Sequence, residues 1–241
     1  RKTPLEHHAE WSEKFHCKLF LKREDQQLTR SYKIRGALNC IQRFSKEGHD
    51  NFVCASAGNH AQGFAWACAH LGVYGTIYMP KTTPQQKLKR TAKMGGDWIT
   101  IQLTGDTFDE AYHAARQFEE LHEAVFVHPF DDEKIIQGQG TVGLEIIDQL
   151  KSLHEGMPDI LIVPVGGGGL LAGLLTWFKE HSPQTKVIGI EPSGAPSMKE
   201  SLRVGSPTTL AKIDTFVDGA AVQTPGSKTF QIIHKSLDKM M

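Results

Sequence analysis

The feature that most constrains the fold of this chain is a regular alternation of apolar, strand-like segments with amphipathic, helix-like ones. The strand-like segments share short apolar runs, and they are NFVCASA (51–57), TIYMP (76–80), DWITIQL (97–103), AVFVHP (124–129), DILIVPV (159–165) and KVIGIEP (186–192). Strict strand–helix alternation favours βαβ units and parallel sheets, so we predict an α/β fold. Ligand sites in such folds lie beyond the carboxyl ends of the strands.

Local signals mark three of the helix boundaries. Gly72 closes the predicted helix HAQGFAWACAHLG. Thr83 is the expected cap of the following helix, with Pro84 at its first position. Thr107 and Glu110 have the spacing of a capping box at the start of another.

Composition argues against several classes of protein. The 27 Lys and Arg residues balance the 27 Asp and Glu residues, which gives no support for a nucleic-acid or anionic-membrane partner. No apolar run approaches the roughly 20 residues of a membrane helix, and no signal peptide is visible. The cysteines show no CxxC spacing, so we expect reduced thiols in a cytoplasmic protein at positions Cys17, Cys40, Cys54 and Cys68, with pairing of the four as the alternative.

Four consecutive glycines, Gly166, Gly167, Gly168 and Gly169, stand between a predicted strand and the helix LLAGLLTWFKE. Each glycine costs backbone entropy on folding, and one or two would suffice for a tight turn. A run of four lets a ligand touch the main chain, and the helix start adds unpaired N–H groups and a partial positive charge. We predict that this loop binds a phosphate group.

The same segment also fits a dinucleotide site. Gly167, Gly169 and Ala172 match the pattern GxGxxA, and Glu191 lies 22 residues after Gly169, where an acidic residue would bind a ribose. An NAD-dependent oxidoreductase is therefore the second hypothesis. No Lys-Ser/Thr pair follows the glycines, which argues against a P-loop NTPase.

A lysine at the start of a helix is the second candidate feature. In SYKIRGALNCIQRF (31–44), Lys33 and Arg35 fall in the first turn, where the helix end is already partly positive. We expect this end and the neighbouring cation to lower the pKa of Lys33, as suits a nucleophilic lysine able to form a Schiff base. The charge-rich segment around it, 18–37, is either a domain crossing or part of an active site.

The third candidate is the turn between the strand NFVCA and the next helix, formed by Ser56, Ala57, Gly58, Asn59 and His60. Its backbone amides can bind a second anion, such as a carboxylate. Asn59 adds an amide donor. Pyridoxal phosphate would use all three features, since it has a phosphate, an aldehyde and a ring oxygen, and an amino-acid substrate adds a carboxylate.

With these features the chain resembles the fold-type II pyridoxal-phosphate enzymes, and within them the threonine dehydratases. The resemblance extends over nearly the whole chain, through LKRED (21–25), SYKIRGA (31–37), SAGNHAQG (56–63), HPFDD (128–132), GQGT (138–141), PVGGGGL (164–170) and VDGAAV (217–222). It implies two doubly wound parallel-sheet domains with the cofactor cleft between them. The larger would comprise 1–24 and 131–241, and the smaller 25–130.

The resemblance also implies roles for individual residues. Lys33 would be the Schiff-base lysine and Asn59 the partner of the ring oxygen. Tyr32, where the family more often has Phe, would pack beside the cofactor. The phosphate would lie on the four glycines and Leu170. The substrate carboxylate would lie in the turn from Ser56 to His60.

Some positions depart from the family pattern. Ala57 stands where the serine-racemase relatives have a serine, which favours elimination over racemisation. Glu191 and Ala195 resemble positions that hold a cation in those relatives, but the third expected acidic position is Ser197, so we predict no metal. The family places a Ser, Thr or Cys beside the pyridine nitrogen late in the catalytic domain, and we expect that segment beyond residue 241. The sequence begins with Arg1 and ends in a helical pattern, so we expect a C-terminally incomplete larger domain.

We therefore predict a pyridoxal-phosphate-dependent lyase. It would deaminate L-threonine, and also L-serine, by β-elimination to a 2-oxo acid and ammonia, as the first step of isoleucine biosynthesis. Its partners would be a small amino-acid substrate and further copies of itself in a dimer or tetramer. The alternatives are the NAD-dependent oxidoreductase and a non-catalytic fragment.

Overall fold

The strands form three sheets in the computed structural model, which describes residues 1–241. They are β1 (Leu5–His7), β2 (Phe20–Lys22), β3 (Asn51–Ala55), β4 (Tyr74–Met79), β5 (Ile99–Leu103), β6 (Val125–Phe126), β7 (Ile160–Pro164), β8 (Lys186–Ile190) and β9 (Lys239–Met240). Strands β1 and β2 pair antiparallel. The other two sheets are parallel, in the orders β5-β4-β3-β6 and β7-β8-β9. The predicted α/β class with two parallel sheets is confirmed.

Helices connect the parallel strands. They are α1 (Ala9–Lys14), α2 (Lys33–Lys46), α3 (Asn59–Leu71), α4 (Gln85–Gly95), α5 (Phe108–His122), α6 (Glu133–Ser152), α7 (Gly169–His181), α8 (Ser197–Val204) and α9 (Ser227–Ser236). None of them combines the length and the apolar character that crossing a bilayer requires.

Strand β3 shows why the first sheet needs helices on both faces. Phe52 and Cys54 pack in one buried cluster with residues of α2 and α3, while Val53 and Ala55 pack in another with Ala115 of α5. Successive side chains of a strand point to opposite faces, so a strand buried on both faces is apolar throughout. In the second sheet α7 packs on one face, and Ile162 on the other face is exposed.

Two large buried clusters lie on either side of α6. One contains 17 residues, drawn mainly from α6, α7, β7 and α9, and the other contains 15, drawn mainly from α2, α3, β3 and β4. Adjacent residues of α6 separate them, since Ile135 belongs to the smaller cluster and Ile136 to the larger. The division of the chain into domains at residues 24 and 130 stays a prediction.

The structure confirms two of the predicted helix ends and corrects others. Gly72 ends α3 in the left-handed conformation, and Thr107 and Glu110 form the capping box of α5. Thr83 is not a cap. Pro84 occupies the capping position of α4, and the Thr83 hydroxyl is buried without a partner. The helical pattern at the C-terminus ends at Ser236, after which the chain forms β9.

The charge-rich segment 18–37 is tied to α6 by a buried ion network. Arg35 lies 2.7 Å from a carboxylate oxygen of Glu24 and 2.7 Å from one of Glu145, and Lys22 lies 2.6 Å from the other oxygen of Glu145. Burial acts to raise the pKa of Glu145, but the hydrogen bonds from Arg35 and Lys22 outweigh it and lower the pKa to about 2. The segment is therefore a crossing between β2, α2 and α6, and it also carries Lys33.

Helix α2 lies close against α3, and a glycine makes this approach possible. A Cβ atom on Gly63 would lie 2.9 Å from the backbone nitrogen of Ile34 and 3.0 Å from the carbonyl carbon of Lys33. The backbone there cannot yield without moving the first turn of α2. The absence of a side chain at Gly63 therefore lets the first turn of α2, which carries Lys33, lie directly against α3.

We expect Gly63→Ala to lower the free energy of unfolding by about 1–3 kcal/mol, the usual cost of overpacking a core. Urea denaturation monitored by circular dichroism measures the effect. Gly156→Ala is the control, because Gly156 has open space around it. Equal stabilities of the two variants would contradict the close approach.

Candidate active site

Two loops with unpaired backbone amides follow the carboxyl ends of parallel strands. The first joins β7 to α7. None of the amides from Gly166 to Leu171 donates a hydrogen bond within the chain, and the helix has no side-chain cap. Leu170 is buried in the larger cluster, so it contributes only its amide. Consecutive free N–H groups at a helix start can bind an anion, so binding of a phosphate group by this loop stays a prediction that its geometry allows.

The glycines of this loop are required by their surroundings. A Cβ atom on Gly167 would collide with the ring of Phe130. Gly168 has a φ of +92°, and a Cβ atom there would lie 2.8 Å from Met198 and 2.9 Å from Ile233. A side chain at either position would therefore move the loop or strain it.

Lys33 begins α2 and extends its amine toward the chain segment after β6. Its Nζ donates a hydrogen bond of 2.6 Å to the carbonyl oxygen of Pro129 and lies 5.7 Å from the centre of the Tyr32 ring. Burial lowers the pKa of Lys33 to about 8. The direction agrees with the prediction, but the neighbouring cation is not the cause, since the Arg35 guanidinium is held by Glu24 and Glu145 and does not contribute.

This pKa makes Lys33 a reactive amine at moderate pH. At pH 8 about half of the amine is neutral, whereas a lysine with the ordinary pKa of about 10.4 is less than about 1% neutral. We expect the rate at which limiting acetic anhydride acetylates Lys33 to rise with pH and level off above pH 8. Mass spectrometry of its peptide measures the rate, with a short unstructured lysine peptide in the same tube as reference. Parallel pH profiles for the two would contradict the assignment.

Phe130 brings Lys33 and the glycine loop to one place. The centre of its ring lies 5.9 Å from Lys33 Nζ. The same ring packs against Gly167, and its Cβ atom lies 3.1 Å from where a Cβ atom on Gly169 would be. The Lys33 amine and the glycine loop therefore flank one side chain, although they are more than 130 residues apart in sequence.

The second loop joins β3 to α3. The amides of Ala57, Asn59, His60 and Ala61 have no acceptor within the chain, while Ser56 Oγ accepts the Gly58 N–H at 3.2 Å. This arrangement can bind an anion such as a carboxylate.

The side chains of this second loop point in different directions. His60 is buried and its Nε2 donates to the Val127 carbonyl at 2.9 Å, so only its amide can contact a ligand. Burial and the charge of Lys33 lower the pKa of His60 to about 3. Asn59 is exposed, and its side-chain nitrogen lies 3.8 Å from the Cβ position of Gly219.

That contact identifies a segment whose role the sequence did not indicate. Residues 217–222 lie over the glycine loop, because Ala220 and Val222 approach within 3.2 Å of a Cβ atom placed on Gly166. Lys87 of α4 forms an ion pair of 2.7 Å with Asp218. The segment therefore links the two loops.

The geometry does not favour the dinucleotide hypothesis. Both carboxylate oxygens of Glu191 are engaged, since they accept the amides of Met198 and Lys199 at 2.8 Å each. Glu191 thus caps α8 instead of facing a ribose. Ser197, beside it, is buried with its hydroxyl unpartnered, and the structure gathers no three His, Cys, Asp or Glu side chains in an arrangement that can hold a metal ion.

The groups that meet near Phe130 match the functional groups of pyridoxal phosphate. Free amides from Gly166 to Leu171 match phosphate oxygens, the Lys33 amine with its lowered pKa matches an aldehyde, and Asn59 offers an amide donor. Tyr32 packs against the larger cluster, and burial raises the pKa of its phenol to about 12, so the ring stays neutral.

Comparisons with known proteins agree. Residues 1–241 match the family model described as "Pyridoxal-phosphate dependent enzyme". The protein named L-threonine dehydratase biosynthetic IlvA from Halalkalibacterium halodurans is 48% identical over 240 residues, which are 99% of this chain and 57% of that protein. The protein of the same name from Bacillus subtilis is 47% identical over 99% of this chain and 56% of its own length.

A solved structure shows the same likeness. The processed form of threonine deaminase isoform 2 from Solanum lycopersicum superimposes with a TM-score of 0.93 at 43% identity, covering 100% of this chain and 64% of that one. The chain spans about 57% of the length of the curated relatives it matches. The predicted resemblance, the fold class and the cofactor are all confirmed by these matches. The chain belongs to the pyridoxal-phosphate dependent enzyme family.

Proposed function

We propose that this chain carries the catalytic residues of an enzyme that deaminates L-threonine to 2-oxobutanoate and ammonia by β-elimination. The observation that carries the proposal is the meeting of the Lys33 amine and the free amides of the glycine loop at Phe130. The relatives that are 48% and 47% identical are named L-threonine dehydratase, which supports the choice of substrate.

Each part of the site has a role in this reaction. When bound, pyridoxal phosphate supplies an electron-accepting ring that stabilises negative charge at the substrate α-carbon. The amides of Gly166–Leu171 would bind its phosphate, and Asn59 would donate to its ring oxygen. The amides of Ala57 and His60 bind the substrate carboxylate. Lys33 Nζ accepts the proton from the α-carbon, for which a pKa of about 8 is well suited. The α-proton and the β-hydroxyl group are lost together as water, and hydrolysis of the enamine that remains gives 2-oxobutanoate and ammonia.

L-Serine is proposed as a second substrate. It differs from threonine by one methyl group, and a pocket discriminates a single methylene by only about 1–3 kcal/mol. Ala57 has no hydroxyl group to move a proton on the opposite face of the substrate, which supports elimination without racemisation.

The cellular setting is also a proposal. The relatives' names include the word "biosynthetic", which supports a role at the first step of isoleucine biosynthesis. All four cysteines are free thiols, which supports a cytoplasmic location. A homo-oligomer, dimer or tetramer, stays a prediction.

The experiment is an assay of ammonia and 2-oxo acid released from L-threonine with added pyridoxal phosphate. D-Threonine is the control for stereospecific attack, and reduction of NAD by the same protein tests the oxidoreductase hypothesis. A cofactor spectrum without product would show that binding is right and the reaction wrong. NAD reduction without a pyridoxal-phosphate spectrum would overturn both the proposed cofactor binding and the proposed reaction.

A further inference from the structure

A carboxylate from the segment after β6 organises the start of α9. Asp131 Oδ1 accepts the amides of Lys228 at 2.9 Å and Thr229 at 3.0 Å, and Oδ2 accepts the amide of Ser227 at 3.0 Å. The capping residue of α9, Gly226, has no side chain to do this. A carboxylate at a helix N-terminus satisfies unpaired donors and complements the helix dipole.

The first turn of α9 in turn holds the glycine loop. The Thr229 hydroxyl is fully buried and donates to the Gly167 carbonyl at 2.7 Å, and the Gly226 amide approaches the same oxygen at 3.4 Å. In a trans peptide the carbonyl and the next N–H point in opposite directions. The bond from Thr229 therefore turns the Gly168 N–H away from the core.

The segment that carries Asp131 also determines the position of the amine. Pro129 accepts the hydrogen bond from Lys33, and Phe130 packs against Gly167. His128 holds this turn, since its Nδ1 accepts the amides of Phe130 at 3.2 Å and Asp131 at 2.7 Å. One short segment thus sets both the position of the amine and, through α9, the orientation of the loop.

We propose that Thr229 and Asp131 are positioning residues that orient the glycine loop for the phosphate group of the cofactor. The proposal rests on the proposed function. Neither residue donates to the phosphate itself, because Thr229 is buried behind the loop and Asp131 is negatively charged. Their effect reaches the phosphate through the Gly167 carbonyl and the amide that follows it.

The test compares two probes, pyridoxal 5′-phosphate and pyridoxal, which lacks the phosphate. Absorbance titration of the whole chain gives a dissociation constant for each. We expect Thr229→Val to weaken binding of the phosphorylated probe by about tenfold, which corresponds to about 1.4 kcal/mol, and to leave pyridoxal binding unchanged. Thr229→Ser keeps the hydroxyl and should restore the wild-type ratio of the two constants.

Thr91→Val is the matched control. Thr91 is also a buried threonine whose hydroxyl donates to a backbone carbonyl, that of Lys87, at 3.0 Å, but it lies in α4. The ratio of the two dissociation constants in Thr91→Val should equal that of the wild type. A Thr229→Val ratio equal to the control, or an equal loss for both probes, would overturn the proposal.

Asp131→Asn keeps the size of the side chain and serves if Thr229→Val does not fold. Like Thr229→Val, it should weaken binding of pyridoxal 5′-phosphate relative to binding of pyridoxal. Equal relative binding in Asp131→Asn and the wild type would overturn the proposal. Failure of the wild type to attach pyridoxal phosphate to Lys33 would instead refute the proposed function. The two failures are therefore distinguishable.

Discussion

Replacing Lys33 with alanine is expected to end covalent attachment of pyridoxal phosphate and to lower deamination of L-threonine by about 10³-fold or more, since a positioned base contributes about 10²–10⁴-fold. The substitution removes the amine whose Nζ lies 2.6 Å from the Pro129 carbonyl and beside the Phe130 ring. The four glycines and their amides should be untouched. Borohydride treatment followed by mass spectrometry measures attachment, and ammonia release measures turnover.

Lys46→Ala is the control for this substitution. Lys46 lies in the last turn of the same helix and is exposed, so its loss tests helix propensity and net charge alone. We expect full attachment and turnover in Lys46→Ala. A Lys33→Ala protein that still carried a reducible cofactor on another lysine, with normal turnover, would refute the assignment.

The second large effect is expected from Gly168→Val. The backbone at this position has a φ of +92°, which a β-branched residue adopts only under strain, and the new Cβ atom would lie 2.8 Å from Met198. Strain of about 1–3 kcal/mol and overpacking of about 1–3 kcal/mol both act on the loop. We expect a loss of about 3 kcal/mol or more in the free energy of unfolding, and loss of cofactor binding.

Gly205→Val separates these two causes. Gly205 has a φ of +87°, but a Cβ atom there would meet nothing within 4 Å. Its loss of stability in urea denaturation should reflect backbone strain alone, and cofactor binding should be retained. If Gly168→Val were no less stable than Gly205→Val, the close packing around the glycine loop would be disproved.

Some features of the site could be found in the sequence because they depend on neighbouring residues. The four glycines, the helix after them and the loop before α3 are local patterns, and their free amides follow from where a helix begins. Lys33 was found in the same way, although the cause of its lowered pKa was not. The pKa of Lys33 is lowered by burial, which depends on the residues that pack around the amine. The helix pattern does not indicate which residues those are.

The contacts that assemble the candidate site could not be predicted from the sequence, because they join residues that are far apart in the chain. Thr229 bonds to a carbonyl 62 residues away, and Asp131 caps a helix that begins 96 residues later. Neither has a spacing that indicates its partner. Thr83 fails in a related way, because a good capping residue was predicted from propensity while packing placed its hydroxyl in the interior.

The sequence by itself determined the alternation of strands and helices, the parallel sheets and the kind of chemistry that each loop offers, since these follow from periodicity and from glycine at a helix start. Only the tertiary structure decided that Lys33 and the glycine loop flank Phe130, that Glu191 caps α8, and that residues 217–222 link the two loops. Periodicity reports which face of an element is buried. It does not report which distant element covers that face, and the candidate active site lies where distant elements meet.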